Sequence, residues 1–322
     1  MPKATIIGNT TWGNTLAALL SSKGVVVKLW ARSETEAEGL NRELYSYSST
    51  SNIEEALEGS DLVILVVPSQ KLRQNVTLAK SYLTNSMILV SAAKGLEVDG
   101  GKRMSQVMAE EIAPILRQQI CVLSGPNLAR EIAQGLPAAS MVAAKDITVA
   151  ERARDLMSSP GFLLFTTDDV IGVELGGALK NIIALGAGMM DGLNLGDNAK
   201  AAFVTWSWAE VISLGVAMGA KASTFFGLSG LGDLIATCAS TLSRNHYVGY
   251  ELAKGRSLKE ITASMSQVAE GVNTAMAVHQ ITQKLNLELP IINLIYQVLF
   301  ENLPATEALA DFGKLTALKA SG

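Results

Sequence analysis

Three residues stand out as a catalytic set for a small substrate, namely Lys180, which could move a proton, and Lys94 and Asp233, which could adjust its charge and position. Lys180 lies in the segment Ile171–Leu193, where Gly172, Gly176, Ala184 and Gly188 recur with it every four residues and so share one helix face. That face is bare apart from one amine. A flat ring or a substrate could lie against it with Lys180 as the group that reaches it; the alternative is close helix packing with the lysine snorkelling outward. Protonating a nascent oxyanion most often falls to histidine. The two histidines, His246 and His279, sit in helical segments with no carboxylate motif beside them and read as packed or solvated groups. A lysine can do the same work if burial and a neighbouring cation draw its pKa from ~10.4 toward neutrality, and Lys94 is the candidate neighbour. Lys180 is therefore the preferred acid.

Two further segments offer anion seats. Ser243-Arg244-Asn245 opens a helix and combines free N–H groups, a guanidinium fork and an amide in one turn, which suits a phosphate; an ordinary capped helix start would look the same. Gly227–Leu234 is a glycine-rich loop entering a helix, with Asp233 either an N-cap or a carboxylate that orients an amine. Lys94-Gly95-Leu96-Glu97 and Ser124-Gly125-Pro126-Asn127-Leu128-Ala129 each follow a strand, where ligands of open α/β sheets bind.

At the amino-terminal end, a short strand runs into Gly8-Asn9-Thr10-Thr11-Trp12-Gly13, a tight turn whose N–H groups could hold a pyrophosphate. Gly8 and Gly13 stand where the turn and the helix packing need them, but Thr10 replaces the middle glycine of G-x-G-x-x-G. A purely structural strand–turn–helix remains the alternative. The second strand ends Trp30-Ala31-Arg32-Ser33, which can attract a 2′-phosphate and points to NADPH over NADH, with NADH admitted; the alternative is a solvated Arg32 paired with Glu34 or Glu36.

The elements that must position these groups are an α/β half and a helical half. Short β-branched runs at Ala4–Ile7, Val25–Trp30, Leu62–Val67, Met87–Ser91, Ile120–Leu123, Ala139–Ala143 and Phe162–Thr166 alternate with helical segments, as in a parallel sheet covered on both faces. Beyond Asp169 the strand signal stops and Ala, Leu, Met and Gly at helical spacing continue. The expected domains are 1–169, nucleotide-binding, and 170–322, helical and substrate-binding. The Ser/Tyr/Thr cluster Tyr45–Asn52 reads as a surface loop.

Composition narrows the function classes. Of 322 residues, 26 are basic and 30 acidic, a net charge of −4 that gives no footprint for a nucleic-acid backbone. Apolar residues make up 48% against 17% charged, so the chain should be mostly folded. No run of ~18 uncharged apolar residues is present, and no signal-peptide series follows Met1-Pro2-Lys3, which together predict a cytoplasmic protein with no membrane span. Cys121 and Cys238 stand apart from any Cys/His cluster, so no metal site is expected.

Taken in order, Ser124–Ala129 with Glu131, Glu174–Asn181, Gly196–Ala199, Gly230–Asp233 with Thr237 and Cys238, Ser243–Asn245 and Val268–Thr274 resemble the bacterial-type NAD(P)-dependent glycerol-3-phosphate dehydrogenases. The resemblance covers nearly the whole chain. It implies a Rossmann-like domain followed by an all-helical one, a role in glycerophospholipid precursor synthesis, and reduction of dihydroxyacetone phosphate to sn-glycerol 3-phosphate. Lys180 then looks like the family's proton donor and acceptor. Lys94, Gly125, Asn127, Asp233, Ser243, Arg244 and Asn245 look like substrate contacts, and Thr11, Trp12, Arg32, Lys94, Ala129, Arg244, Val268 and Glu270 like cofactor contacts beside Gly8 and Gly13. A homodimer is compatible with the resemblance. The chain departs from the family at Thr10, in a shortened segment around Tyr45–Asn52, and at Thr205-Trp206-Ser207, where the family usually has Thr-Arg-Gly. Two competing readings are a non-catalytic NAD(P)-binding sensor and a reductase of another small hydroxy or keto acid.

Overall fold

The structure is a computed structural model and describes every residue except 44–45, 240–242, 266, 268 and 321–322, with the side chains of 239 and 314–320 also left aside. The chain divides into two compact units, one formed by Met1–Lys94 with Arg103–Glu174 and the other by Gly95–Lys102 with Leu175–Gly322. Among the described residues the strands are β1 (Lys3–Ile7), β2 (Val26–Trp30), β3 (Ser48–Thr50), β4 (Leu62–Leu65), β5 (Ile88–Ser91), β6 (Leu96–Glu97), β7 (Lys102–Arg103), β8 (Ile120–Ser124), β9 (Ala138–Ala144) and β10 (Phe162–Thr167).

In the first unit eight strands form one sheet in the order β10-β9-β8-β5-β4-β1-β2-β3. Period-two alternation splits its core into two layers. Ala4, Ile6, Leu62, Ile64, Ile88, Val90, Cys121 and Leu123 point into one, and Ile7, Val63, Leu65, Leu89 and Ile120 into the other. Helices α1 (Thr11–Ser22), α2 (Glu34–Arg42), α3 (Ile53–Leu57), α4 (Leu72–Ala79), α5 (Met104–Glu111), α6 (Ala129–Ala133) and α7 (Ile147–Met157) connect the strands. The first layer is closed by α1 and α7 through Leu16, Leu20, Val149 and Ala153; α4 and α5 close the second through Leu72, Val76, Val107 and Met108. That two-sided burial is why the strands read as continuous Val/Ile/Leu runs.

The sheet differs from the expected one in two places. β8 and β9 pair antiparallel, with Cys121 opposite Ala144, whereas among the described residues the other strand pairs of the sheet run parallel. Within the expected loop Tyr45–Asn52, Ser48–Thr50 is instead an edge strand paired with β2, Lys28 opposite Ser48. Its polar sequence hid it. Asn41 supplies the side-chain bonds, donating to the Ser49 carbonyl at 2.9 Å and accepting from the Ser49 N–H at 2.8 Å, and Tyr47 beside it is buried.

The second unit is helical, with α8 (Val170–Gly192) entering from the first, then α9 (Gly196–Ala217), α10 (Asp233–Ala239), α11 (Arg244–Ala253), α12 (Leu258–Ser264), α13 (Glu270–Leu285), α14 (Pro290–Phe300) and α15 (Ala305–Ala320). It also takes in β6 and the first residue of β7, with which β6 pairs. Among the described residues α8 alone has the length and hydropathy to cross a membrane, with a mean hydropathy of 1.5, but 94% of that window is buried inside the fold. It is a core helix. Its glycines are sites of close approach: a Cβ at Gly188 would overlap the His246 carbonyl oxygen, and one at Gly176 would stand 2.5 Å from that of Ser229. The glycine face of α8 thus packs against backbone, while Lys180 in its midst does not snorkel outward and is 6% exposed.

Candidate functional site

The turn after β1 depends on two glycines. Gly8 has φ +128°, and a Cβ there would overlap the Val66 carbonyl; a Cβ at Gly13 would overlap the carbonyl of Gly8 itself. Position 10 carries no such demand. Thr10 is extended, at φ −120°, and its hydroxyl caps α1 by accepting from the Gly13 N–H at 3.0 Å. Threonine replaces the middle glycine here because the position has become an N-cap. Thr11 opens α1 and is exposed, and Trp12 sits half-buried with its ring edge-on to Phe162 at 5.9 Å.

The carboxyl ends of the strands carry polar atoms that the protein leaves unpaired. The indole Nε1 of Trp12, the hydroxyls of Ser91 and Ser124 and the amide nitrogen of Asn127 are buried without a hydrogen-bond partner. Each belongs to the end of β5 or β8 or to the segment that follows β1 or β8, the rim where α/β sheets take ligands. Buried donors of this kind are costly unless a ligand or water completes them. The rim thus fits a polar group such as a dinucleotide. Close by, Lys94 donates to the Gly125 carbonyl at 2.6 Å, and Asn127 Oδ1 accepts from the Ser140 hydroxyl. Gly125 is required because a Cβ would press on Ser140 Cα at 2.9 Å. Ala129 begins α6 and its carbonyl accepts from Thr15 at 3.3 Å. Arg32, at the end of β2, is exposed, with Nε 3.9 Å from Glu36 Oε2.

In the helical unit, Lys180 and Asp233 meet. The Lys180 ammonium donates to Asp233 Oδ1 and, at 2.6 Å, to the Thr237 hydroxyl; both acceptors are buried. Thr237 in turn donates to the Asp233 carbonyl at 2.7 Å, so its hydroxyl has its proton committed and offers Lys180 a lone pair. Asp233 opens α10 after the wide turn Leu228–Gly232, and Thr237 lies one turn on, on the same face. The amine thus rests against a carboxylate, the orienting role expected of Asp233. The sequence signal for Thr237 in this role is its i, i+4 spacing from Asp233.

Ser243 caps α11, its hydroxyl accepting from the His246 N–H at 3.3 Å. Arg244 follows it and is exposed; desolvation by neighbouring protein atoms lowers the guanidinium pKa, and the Glu270 carboxylate works against that shift. Asn245 is buried and already engaged, donating to Asn181 Oδ1 at 2.9 Å and accepting from the Gly271 N–H at 2.9 Å. It ties α11 to α8 beside Lys180 and to α13 beside Glu270. Val268 lies outside the described residues. The histidine reading changes too: His246 Nε2 is 2.7 Å from Asp191 Oδ2, and Lys200 Nζ is 2.9 Å from Asp191 Oδ1. Burial works to raise the Asp191 pKa, but the His246 and Lys200 hydrogen bonds outweigh it and hold the carboxyl below its usual range. An ionised Asp191 only accepts, so Nε2 carries the proton.

Comparison with known proteins fits this geometry. Models of the NAD-dependent glycerol-3-phosphate dehydrogenase N-terminus and C-terminus match residues 3–150 and 169–310. The chain belongs to that family. It is 51% identical to the glycerol-3-phosphate dehydrogenase [NAD(P)+] of Dehalococcoides mccartyi strain 195 over 321 residues, 96% of this chain and 89% of the relative. The corresponding protein of Syntrophotalea carbinolica is 44% identical, with 95% and 96% covered. Among solved structures, the glycerol-3-phosphate dehydrogenase of Coxiella burnetii superposes with a TM-score of 0.89 at 31% identity, covering 97% of this chain and 98% of that one. A Ralstonia eutropha ketopantoate reductase, at a TM-score of 0.59 and 14% identity, shares the fold alone. Trp206 lies half-buried, its ring 5.7 Å from that of Phe312, in apolar contact with α15.

Proposed function

We infer that the protein is an NAD(P)-dependent glycerol-3-phosphate dehydrogenase acting in the cytoplasm, which reduces dihydroxyacetone phosphate at C2 to sn-glycerol 3-phosphate and runs in reverse. Reduced nicotinamide, when bound, supplies the hydride. Gly8, Thr11, Trp12, Gly13, Arg32, Lys94 and Ala129 would hold the cofactor, with Val268, Glu270 and Arg244 as further contacts. The chain's own chemistry is the proton. As the C2 carbonyl carbon gains the hydride its oxygen becomes an alkoxide, and the Lys180 ammonium gives that oxygen a proton; in the reverse direction the neutral amine takes it back. Asp233 and Thr237 hold the amine in one rotamer and favour its ammonium form, so that little reorganisation is needed when the charge develops.

The phosphate is assigned to Ser243 and Arg244 at the start of α11, where a guanidinium fork and helix N–H groups coincide. Asn245 would contribute its remaining N–H, and Lys94, Gly125 and Asn127 complete the substrate set. The observation that carries the reading is the buried Lys180 ammonium on Asp233 and Thr237, within a chain of this family. The test is oxidation of NADPH by the purified chain with dihydroxyacetone phosphate and, side by side, with unphosphorylated dihydroxyacetone. Rapid turnover of the phosphate ester alone, inhibited by inorganic phosphate, is expected. No turnover of either compound, with NADPH still bound, would leave a nucleotide sensor, and turnover of a keto acid in preference would favour the other reductase.

A further inference from the structure

Glu36 lies in the first turn of α2, just past the strand end that faces the ribose 2′ position of a dinucleotide. Both of its carboxylate oxygens are engaged. Oε1 accepts from Asn9 Nδ2 at 2.7 Å, and Asn9 belongs to the phosphate-binding turn; Oε2 accepts from the backbone N–H of Arg32 at 2.8 Å. The Arg32 guanidinium stands 3.9 Å from the same oxygen, with its side chain 84% exposed against 22% for Glu36. The N–H and the guanidinium of Arg32 are the donors that a 2′-phosphate would use. Each of them faces a carboxylate instead. Glu34 accepts from the Ser51 hydroxyl and Glu38 pairs with Arg42 at 3.2 Å, so Glu36 is the acidic side chain recorded beside Arg32, and a phosphate arriving there with a charge of about −1.5 to −2 meets that carboxylate.

We propose that Glu36 sets the choice of nicotinamide cofactor, occupying the Arg32 N–H and standing beside its guanidinium so as to weigh against NADPH relative to NADH. The family's use of either cofactor then has a physical seat in this chain. Arg32 draws the 2′-phosphate in, while Glu36 resists it and remains compatible with a 2′-hydroxyl, which can donate to the carboxylate. The inference rests on Arg32 being the partner of the 2′-phosphate.

Direct titration of NADPH and NADH against the full chain tests it, followed by quenching of tryptophan fluorescence. Glu36→Gln keeps an acceptor for the Arg32 N–H and removes the charge. It should raise the ratio of NADPH to NADH affinity about tenfold, the size of one charge-assisted contact, with NADH binding still measurable. Retained NADH binding shows that the variant is folded. Displacement by 2′-AMP should strengthen by a like factor and displacement by 5′-AMP should not change. An unchanged NADPH-to-NADH ratio, or a shift toward NADH, overturns the proposal. Arg32→Ala separates the two levels of the argument. If it weakens NADPH alone while Glu36→Gln moves nothing, the Glu36 inference fails and the Arg32 reading stands; if it leaves the ratio untouched, both fall.

Discussion

The turn after β1 and the surroundings of Lys180 treat polar groups in opposite ways. At the strand ends of the first unit, Trp12, Ser91, Ser124 and Asn127 keep buried polar atoms that no protein group completes. Around Lys180, amine, carboxylate, hydroxyl and backbone carbonyl close on one another. Under the proposed function, this contrast is one between recognition and reaction. A surface that must receive and release a dinucleotide leaves hydrogen-bonding capacity open, whereas a group that must deliver a proton to one point is fixed beforehand by partners that stay.

That contrast can be broken in a graded series. The largest effect should come from Lys180→Ala, which is expected to lower kcat at least about 10³-fold with the affinity for NADPH unchanged in a binding titration. Asp233→Asn keeps the shape but removes the charge that holds the ammonium, and a fall in kcat of about 10²-fold is expected with a small change in KM. Arg244→Ala should act on the other side of the substrate, raising KM for dihydroxyacetone phosphate about 10- to 100-fold and sparing the slow reaction of dihydroxyacetone. Loss of both reactions in proportion would remove the phosphate from Arg244.

Smaller effects lie further out. Asp191 ties α8, which carries Lys180, to the first turn of α11 through His246. Its folded pKa is depressed, so the stability it adds is present above its ordinary value of 3.8 and is lost as pH falls through the lower folded value. Asp191→Asn should therefore abolish a stability increment near neutrality and converge with the parent at the acid end of a series of thermal melts. Burial raises the Cys238 thiol to about 11, with the nearby Lys180 and Lys200 charges only partly offsetting it. At pH 7.5 the thiol is protonated, and iodoacetamide should leave activity intact for hours; rapid inactivation at that pH would contradict the shift.

Much of the fold was legible because doubly buried strands leave an unmistakable apolar run, as at Leu62–Leu65 and Ile88–Ser91. Ser48–Thr50 was not, since an edge strand needs only one neighbour and this one draws support from the Asn41 amide. The antiparallel setting of β9 against β8 leaves no mark in composition either, because a strand buried on both faces reads the same in both directions. Around the candidate site, residue types were visible and pairings were not. Lys180 reaches Asp233 across 53 positions and Thr237 across 57, and His246 finds Asp191 across 55. A search for carboxylates beside each histidine along the chain misses a partner brought by folding. The glycines of α8 taught the reverse lesson: their spacing was plain, but it served backbone contact at Ser229 and His246 rather than an open face.

The central claim is that the amine at position 180 is the proton donor, and chemical rescue tests it most directly. In Lys180→Ala saturated with NADPH and dihydroxyacetone phosphate, added ethylamine should restore turnover in proportion to the concentration of its ammonium form, while a quaternary ammonium of similar size should not. Turnover near that of the parent without any amine, or equal rescue by the quaternary salt, would contradict the account.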